Sequence, residues 1–220
     1  MTAGQIIDRV LLGILVAVLI ISIGVHLYDV DVFSLQFANE DGAVEYATAF
    51  CLLFCSMTFV THAGSLRRRG RVLAAICTAI YALLFFMGAG EEVSWGQRIF
   101  GWESGEFFME NNKQYETNLH NLVVGDWHLA KTVFGSGLTT VILLYLVVLP
   151  LLYPRVGLIQ RLADKFAIPV PGLRHTVLAI TGSLVIALMD QSRKWEVYEL
   201  IFGLLMLSII ILPQNSDHTR

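Results

Sequence analysis

The segment VLLGILVAVLIISIGV at residues 10–25 decides the fold class of this chain of 220 residues. It carries no charged residue, and a helix needs about 20 mostly apolar residues to cross a bilayer. The sequence HLYD follows at residues 26–29, and no small-x-small cleavage site is present there. We therefore interpret residues 10–28 as an uncleaved transmembrane span and not as a signal peptide.

The composition of the whole chain indicates an integral membrane protein. Hydrophobic residues make up 55% and charged residues 15% of the sequence, whereas soluble domains carry about 25% charged residues. Six windows are apolar enough to be spans: about 10–28, 43–63, 72–90, 133–153, 173–190 and 196–213. Pro150 is expected to kink or end the fourth of them. The sequence thus predicts an all-α bundle of about six transmembrane helices, which form a single transmembrane domain over residues 1–220.

The distribution of positive charge indicates how this bundle is oriented. Basic residues are Arg67, Arg68, Arg69 and Arg71 between the second and third windows, and Arg155, Arg161, Lys165 and Arg174 between the fourth and fifth. The positive-inside rule places both loops in the cytoplasm. We therefore expect a protein of the inner (plasma) membrane with both termini in the cytoplasm. The long loop at 91–132, between helices 3 and 4, then faces the outside or periplasm.

Several acidic residues lie at the outer ends of the predicted spans. Glu45 begins the second span, Glu91 and Glu92 end the third, and Glu196 and Glu199 begin the sixth. Charged groups next to hydrocarbon are costly and by default indicate function. Adjacent residues on a helix point about 100° apart. One member of the Glu91–Glu92 pair can therefore face the bundle interior while the other faces the loop.

The outer loop supplies a second group of polar residues. Its densest parts are GEEVSWGQR at 90–98 and NKQYETNLHN at 112–121. If the second part is helical, Asn112, Glu116 and His120 lie on one helix face. Carboxylates and an imidazole arranged in this way can bind a divalent metal. The same groups can serve instead as general acid and base.

The sequence therefore offers candidates for three roles. The candidate catalytic residues are Glu91, Glu92, Glu116 and His120. The candidate ligands of a divalent metal, whose identity stays open, are Glu45, Glu92, Glu116, His120, Glu196 and Glu199. The candidate substrate-binding residues are Trp95, Gln97, Arg98, Asn112, Gln114 and Asn121. The alternative is that these acids are solvated or ion-paired and that the tryptophans form an interfacial belt.

Three short motifs together resemble a known group of proteins. They are Glu-Glu-x-Ser-Trp-Gly-Gln at 91–97, Asn-x-Gln-x-Glu-x-x-x-His-Asn at 112–121, and Asn-Glu-Asp-Gly at 39–42. The combination resembles an uncharacterised family of small multi-pass bacterial membrane proteins. This resemblance implies a membrane protein and carries no activity with it. The Ser, Asp and paired-His pattern of the alkaline-ceramidase-like membrane hydrolases is not found in the chain.

Three functions fit this pattern. The first is a membrane-embedded enzyme, a hydrolase or group transferase that acts at the outer face on a membrane lipid or a lipid-linked substrate. The second is a transporter or an ion or proton pathway, because intramembrane acids mark such paths. The acids cluster at one face, however, and no ionisable chain crosses the span centres. The third is a non-catalytic membrane subunit or assembly factor.

The composition also limits the partners. No basic tract is long enough to indicate nucleic-acid binding, so we expect lipid and not nucleic acid as the partner. The sequence leaves open whether the chain forms a homo-oligomer or binds another protein.

Overall fold

The computed structural model describes residues 1–119, 121–124, 127–128 and 137–220, and their fold is helical. The helices are α1 (Ala3–Tyr28), α2 (Val30–Val32), α3 (Ala43–Arg68), α4 (Val72–Glu92), α5 (Gln97–Phe100), α6 (Glu106–Asn111), α7 (Leu138–Leu143), α8 (Leu149–Leu152), α9 (Gly157–Lys165), α10 (Leu173–Leu188), α11 (Lys194–Ile211) and α12 (Ser216–Thr219). The π-helical segments Phe33–Phe37 and Leu144–Val148 and a 3-10 turn, Ser94–Gly96, join helices in the described part of the chain. The predicted all-α class is confirmed.

A minimal β-hairpin is present beside the helices. Strand β1 (Val123–Val124) pairs antiparallel with β2 (Trp127–His128), and each strand has only two residues. A pair this short is not stable in water by itself. The hairpin therefore does not change the fold class.

Three helices in the described part of the chain are long and apolar enough to cross a membrane. They are α1, α3 and α4, and they correspond to the first three predicted spans. The fifth window forms the shorter apolar helix α10, and the sixth forms α11. The fourth window is helical over Leu138–Leu152. Its residues 133–136 lie outside the described residues.

Helix α11 is the centre of the packing. It lies against α1, α3 and α10, and its side chains are buried on all sides from Leu200 to Leu205. A helix that is hydrophobic all round belongs in a protein interior. Gly203 allows α3 to approach, because a Cβ there would lie 3.1 Å from the Cβ of Cys51.

Helices α1, α3 and α4 differ from α11 in the exposure of their apolar side chains. Large apolar side chains are exposed on them, among them Ile20 on α1, Val60 on α3 and Leu84 on α4, each with more than 60% of its surface accessible. Soluble monomers rarely expose contiguous apolar surface of this extent. The exposed bands are suited to contact with lipid.

Pro150 lies in the helix of the fourth window, which continues past it to Leu152. A proline lacks the N–H that would donate to the carbonyl four residues earlier, which here belongs to Leu146. That carbonyl accepts a hydrogen bond of 2.8 Å from the Thr176 hydroxyl of α10 instead. The π-helical segment ends just before the proline. The side chain of a neighbouring helix thus satisfies the backbone group that Pro150 leaves without a partner.

Candidate functional site

The last turn of α4 leads into an unusual exit from the helix. Ser94, Trp95 and Gly96 all have positive φ, at 45°, 57° and 79°. Glycine adopts this left-handed region freely, whereas it costs other residues about 1 kcal/mol or more. Two non-glycine residues in succession therefore indicate that their surroundings hold them in place.

The contacts of Trp95 are one part of those surroundings. Its ring folds back over Gly90, where a Cβ would lie 2.8 Å from the ring. Its Nε1 donates a hydrogen bond of 3.0 Å to Glu91 Oε1, and its ring meets Phe86 edge-on. The close packing at Gly90 thus involves a tryptophan ring. The role of Trp95 here is to fix Glu91.

The Ser94 side chain points to a buried carboxylate. Glu116 is 6% exposed, and its carboxylate accepts hydrogen bonds from the Ser94 hydroxyl, from the Arg98 guanidinium and, at 3.0 Å, from Asn118 Nδ2. Arg98 also forms an ion pair with Asp41. Because hydrogen bonds to a carboxylate are stronger than those between neutral groups, Glu116 is well suited to anchor the loop.

Asn112 and Asn118 complete this buried loop network. Asn112 Nδ2 donates to the backbone oxygen of Asn118 at 3.0 Å and to its Oδ1 at 2.8 Å. Asn112 Oδ1 accepts from the backbone N–H of Gln114 at 2.8 Å and of Glu116 at 3.3 Å. We use the name loop network for Ser94, Arg98, Asn112, Glu116 and Asn118.

The helical interpretation of residues 112–121 is wrong. The segment forms turns in its described part, with Tyr115 at a φ of 60°. Asparagine side chains that bond to nearby backbone N–H groups compete with helix formation, and Asn112 does so twice. Asn112 and Glu116 still lie close together, but not on a helix face. His120 lies outside the described residues.

The two glutamines and Asn121 also tie the loop together. Gln97 Oε1 accepts from the Thr117 N–H at 2.9 Å, and Gln114 Oε1 accepts from Asn121 Nδ2 at 2.7 Å. Gln114 Nε2 donates to Glu40 Oε1 at 2.6 Å. These candidate substrate-binding residues therefore all make contacts that fold the loop.

Glu40 and Asp41 are site residues that the sequence interpretation left unassigned. Both come from the NEDG turn before α3, where Gly42 is required because a Cβ would lie 2.4 Å from Asn39 Oδ1. Glu40 pairs with Arg193 at 2.5 Å. The hydrogen bond from Arg193 lowers the pKa of Glu40, and the same contact raises the pKa of Arg193. Through Glu40, the turn links Gln114 of the loop after α6 to the start of α11, and the contact with Arg193 spans 153 positions.

The second half of the site is a group of carboxylates from three helices. Glu92 of α4 lies within electrostatic range of Glu199 and Glu196 of α11, Glu45 of α3, and its neighbour Glu91. We call these five residues the carboxylate cluster. Glu196 lies 3.6 Å from Arg193, and Glu45 accepts the backbone N–H of Asp41 at 2.5 Å.

Glu91 and Glu92 face different partners. The two oxygens of Glu91 accept from Trp95 Nε1 and, at 2.5 Å, from the backbone N–H of Leu119 in the loop. Glu92 faces the carboxylates of α3 and α11. The loop therefore touches the carboxylate cluster through Glu91.

The predicted metal ligands do not all come together. Glu116 belongs to the loop network, whereas Glu45, Glu92, Glu196 and Glu199 belong to the carboxylate cluster. Within the described residues, no group of three or more His, Cys, Asp or Glu side chains has the geometry to hold a metal ion. The cluster as it stands is suited to exchange protons.

An apolar groove lies beside the carboxylate cluster. Its volume is about 270 Å³. The lining residues come from α3, the end of α4 and α5: Tyr46, Ala49, Phe50, Leu53, Phe86, Ala89, Gly90, Val93 and Ile99. Gly90 and Val93 flank Glu91 and Glu92 in sequence. The groove is therefore suited to an alkyl chain whose polar end reaches the carboxylates.

No protein-family model, curated protein or solved structure matches the chain.

Proposed function

We propose that the protein is a membrane-embedded enzyme, a hydrolase or group transferase that acts on a lipid or lipid-linked substrate. The observation that carries the proposal is the convergence of five carboxylates from α3, α4 and α11 beside an apolar groove. Ionisable groups next to the hydrocarbon of a membrane cost free energy, so their presence there indicates a function by default. The groove would receive the alkyl chain, and the carboxylates would meet the polar part of the substrate.

The roles within the cluster follow from its contacts. Glu92 is the proposed general acid or base, because it faces Glu45, Glu196 and Glu199. Neighbouring carboxylates divide protons among themselves, which is the arrangement that acid–base chemistry uses. Glu91 is proposed as a positioning residue, since Trp95 and Leu119 hold its two oxygens. His120, the next residue after Leu119, remains a proposed participant.

A divalent cation bound among these carboxylates would also neutralise their negative charge. Mg²⁺, Mn²⁺ and Ca²⁺ bind carboxylate oxygens, and Glu92 with Glu45 and Glu196 would supply them after moving closer together than they lie in the structure. Metal analysis of the purified protein, repeated with Glu92→Gln, tests this part of the proposal. Stoichiometric metal that Glu92→Gln removes supports a metal enzyme. Metal-free protein that retains activity contradicts it.

The orientation of the site belongs to the same proposal. Six spans with both termini in the cytoplasm of the plasma membrane would place the carboxylate cluster and the loop network at the outer face. The basic segments 67–71 and 155–174 support this orientation through the positive-inside rule. The substrate would then lie in the outer leaflet.

Lipid profiling of cells that express the protein tests the proposed function. Extracts from cells with the wild type, Glu92→Gln and Glu106→Gln are compared by untargeted mass spectrometry. Glu106 is exposed on α6 and makes a matched control. We expect the wild type and Glu106→Gln to change the same lipid species and Glu92→Gln to leave them unchanged, at equal amounts of folded protein. Identical profiles for all three would contradict the proposal.

A further inference from the structure

Three buried polar side chains meet at the other end of α11. They are Asp8 of α1, His175 of α10 and Ser208 of α11, with 4%, 0% and 0% of their surface exposed. Ser208 lies near the last residue of α11, whereas Glu196 lies near the first. This group is therefore separate from the carboxylate cluster. The sequence interpretation gave it no role.

The hydrogen bonds in this group have a defined direction. The Gly172 N–H donates to His175 Nδ1 at 2.9 Å, so Nε2 carries the ring hydrogen and donates to Ser208 Oγ at 3.0 Å. The Ser208 hydroxyl then donates to Asp8 Oδ1 at 2.6 Å. Asp8 is left as the terminal acceptor, and a buried carboxylate of this kind requires a cation.

The guanidinium of Arg174 is this cation, and its contacts with Asp8 hold it in place. Its Nε and Nη2 lie 3.3 and 3.1 Å from Asp8 Oδ1, and Nη2 also donates to the Leu212 carbonyl at 3.0 Å. A guanidinium has five N–H donors, and these contacts employ Nε and Nη2. Nη1 lies beside Gly172, where a Cβ would be 2.8 Å from it, and has no hydrogen-bond partner among the described residues.

A cavity of about 360 Å³ opens beside this arginine. Its walls are Gln5, Asp8, Arg9, Leu12, Arg174 and Leu212. Arg9 and Arg174 both supply guanidinium donors, and because Arg174 neutralises Asp8, the net positive charge of the walls is that of Arg9. Arginine pairs are the usual means of binding phosphate oxygens.

We propose that this cavity binds a phosphate group, carried by an anionic phospholipid of the adjacent leaflet or free in solution. Basic pockets between transmembrane helices on the cytoplasmic side bind such head groups. Exposed apolar residues of α1, such as Ile6 and Val10, would accompany the alkyl chains of a lipid. The site is independent of the proposed enzymatic function, because it shares no residue with the carboxylate cluster.

Thermal unfolding of the purified, detergent-solubilised protein tests the proposal. The Tm is measured against phosphatidylglycerol, against phosphatidylcholine with the same acyl chains, and against sodium phosphate at an ionic strength matched with chloride. We expect phosphatidylglycerol to raise the Tm at lower concentrations than phosphatidylcholine. Arg9→Gln should raise the half-maximal concentration about tenfold, because it removes a charge-assisted hydrogen bond.

Two further variants keep the result interpretable. Arg161→Gln removes an exposed arginine of α9 and should leave the half-maximal concentration unchanged. The double variant Asp8→Asn/Arg174→Gln removes both members of the buried pair, so that no charge is left without a partner. It should remain folded and lose the preference for phosphatidylglycerol.

The outcomes separate the two sources of phosphate. Protection by phosphatidylglycerol but not by sodium phosphate identifies a lipid headgroup site, and equal protection by sodium phosphate identifies a site for the free ion. Equal effects of both lipids, with phosphate no better than chloride, would overturn the proposal. Equal losses in Arg9→Gln and Arg161→Gln would also overturn it, since they would indicate diffuse surface charge.

Discussion

Arg98 forms an ion pair with the buried carboxylate of Glu116 and so fastens the loop after α6 to the end of α4. Arg98 follows the left-handed turn at residues 94–96, and Glu116 lies in the turns after α6. Ser94 donates to the same carboxylate from inside that turn. The Glu116 side chain therefore connects the strained turn at the end of α4 to the loop that carries Glu116.

Glu116→Gln should therefore destabilise the fold. The substitution leaves Arg98 without its buried partner, and breaking a buried ion pair costs about 3 kcal/mol. The midpoint of denaturant-induced unfolding should fall accordingly. Glu110→Gln, at an exposed position of α6, is the matched control and should leave the midpoint unchanged. Equal midpoints for both variants would show that Glu116 does not anchor the loop.

Gly90→Ala should displace Trp95. The added Cβ would lie 2.8 Å from the indole ring, so the ring must move and its bond to Glu91 must lengthen or break. Gly88→Ala is the control, because its Cβ would meet Leu52 Cδ1 at an ordinary 3.4 Å. The readout is tryptophan fluorescence in a background with Trp102, Trp127 and Trp195 changed to Phe. We expect a spectral shift for Gly90→Ala alone, and the same spectrum for both variants would refute the packing.

The Glu40–Arg193 pair should make stability depend on pH in the acidic range. The pKa of Glu40 is lower in the folded protein than its ordinary value of 4.5. The pair therefore contributes stability above that ordinary value, and the contribution is lost as the pH falls through the folded pKa. Glu40→Gln should lower the Tm at pH 7, and its difference from the wild type should shrink on acidification. Glu103→Gln should show no such convergence, and a constant difference for Glu40→Gln would contradict the linkage.

Cysteine accessibility should report the proposed orientation. In a background with Cys51, Cys55 and Cys77 changed to Ala, single cysteines are placed at Glu106 and at Gln160. A membrane-impermeant maleimide should label Glu106→Cys in intact cells and Gln160→Cys only after permeabilisation. The reverse pattern, or labelling of both in intact cells, would contradict six spans with both termini inside.

The sequence allowed the helices to be predicted because their signal is local. The apolar windows at 10–28, 43–63 and 72–90 correspond to α1, α3 and α4 to within a few residues at most ends. At Pro150 the sequence predicted a kink or an end of the fourth span, but the helix continues past it to Leu152. The left-handed turn at Ser94 and Trp95 could not be predicted, because glycine alone favours that conformation and only Gly96 is one.

Most contacts of the site could not be predicted from the sequence. Arg193 meets Glu40 across 153 positions, and Ser208 meets Asp8 across 200. No spacing rule connects residues so far apart. The helical interpretation of 112–121 failed for a local reason, because the Asn112 side chain satisfies backbone N–H groups in a turn. The division between Glu91 and Glu92, by contrast, follows from the 100° between adjacent helical residues.

Turnover by the purified protein in lipid vesicles tests the central claim most directly. Wild-type protein, Glu92→Gln and Glu106→Gln are reconstituted in vesicles of bacterial membrane lipids, and the lipids are followed over time by mass spectrometry. We expect the wild type and Glu106→Gln to convert a lipid or lipid-linked species at equal rates. Glu92→Gln should lower the rate of conversion at least 100-fold, because a general acid or base typically contributes about 10²–10⁴-fold to the rate. Conversion at an unchanged rate by Glu92→Gln would contradict the account, as would the absence of any conversion by folded wild-type protein.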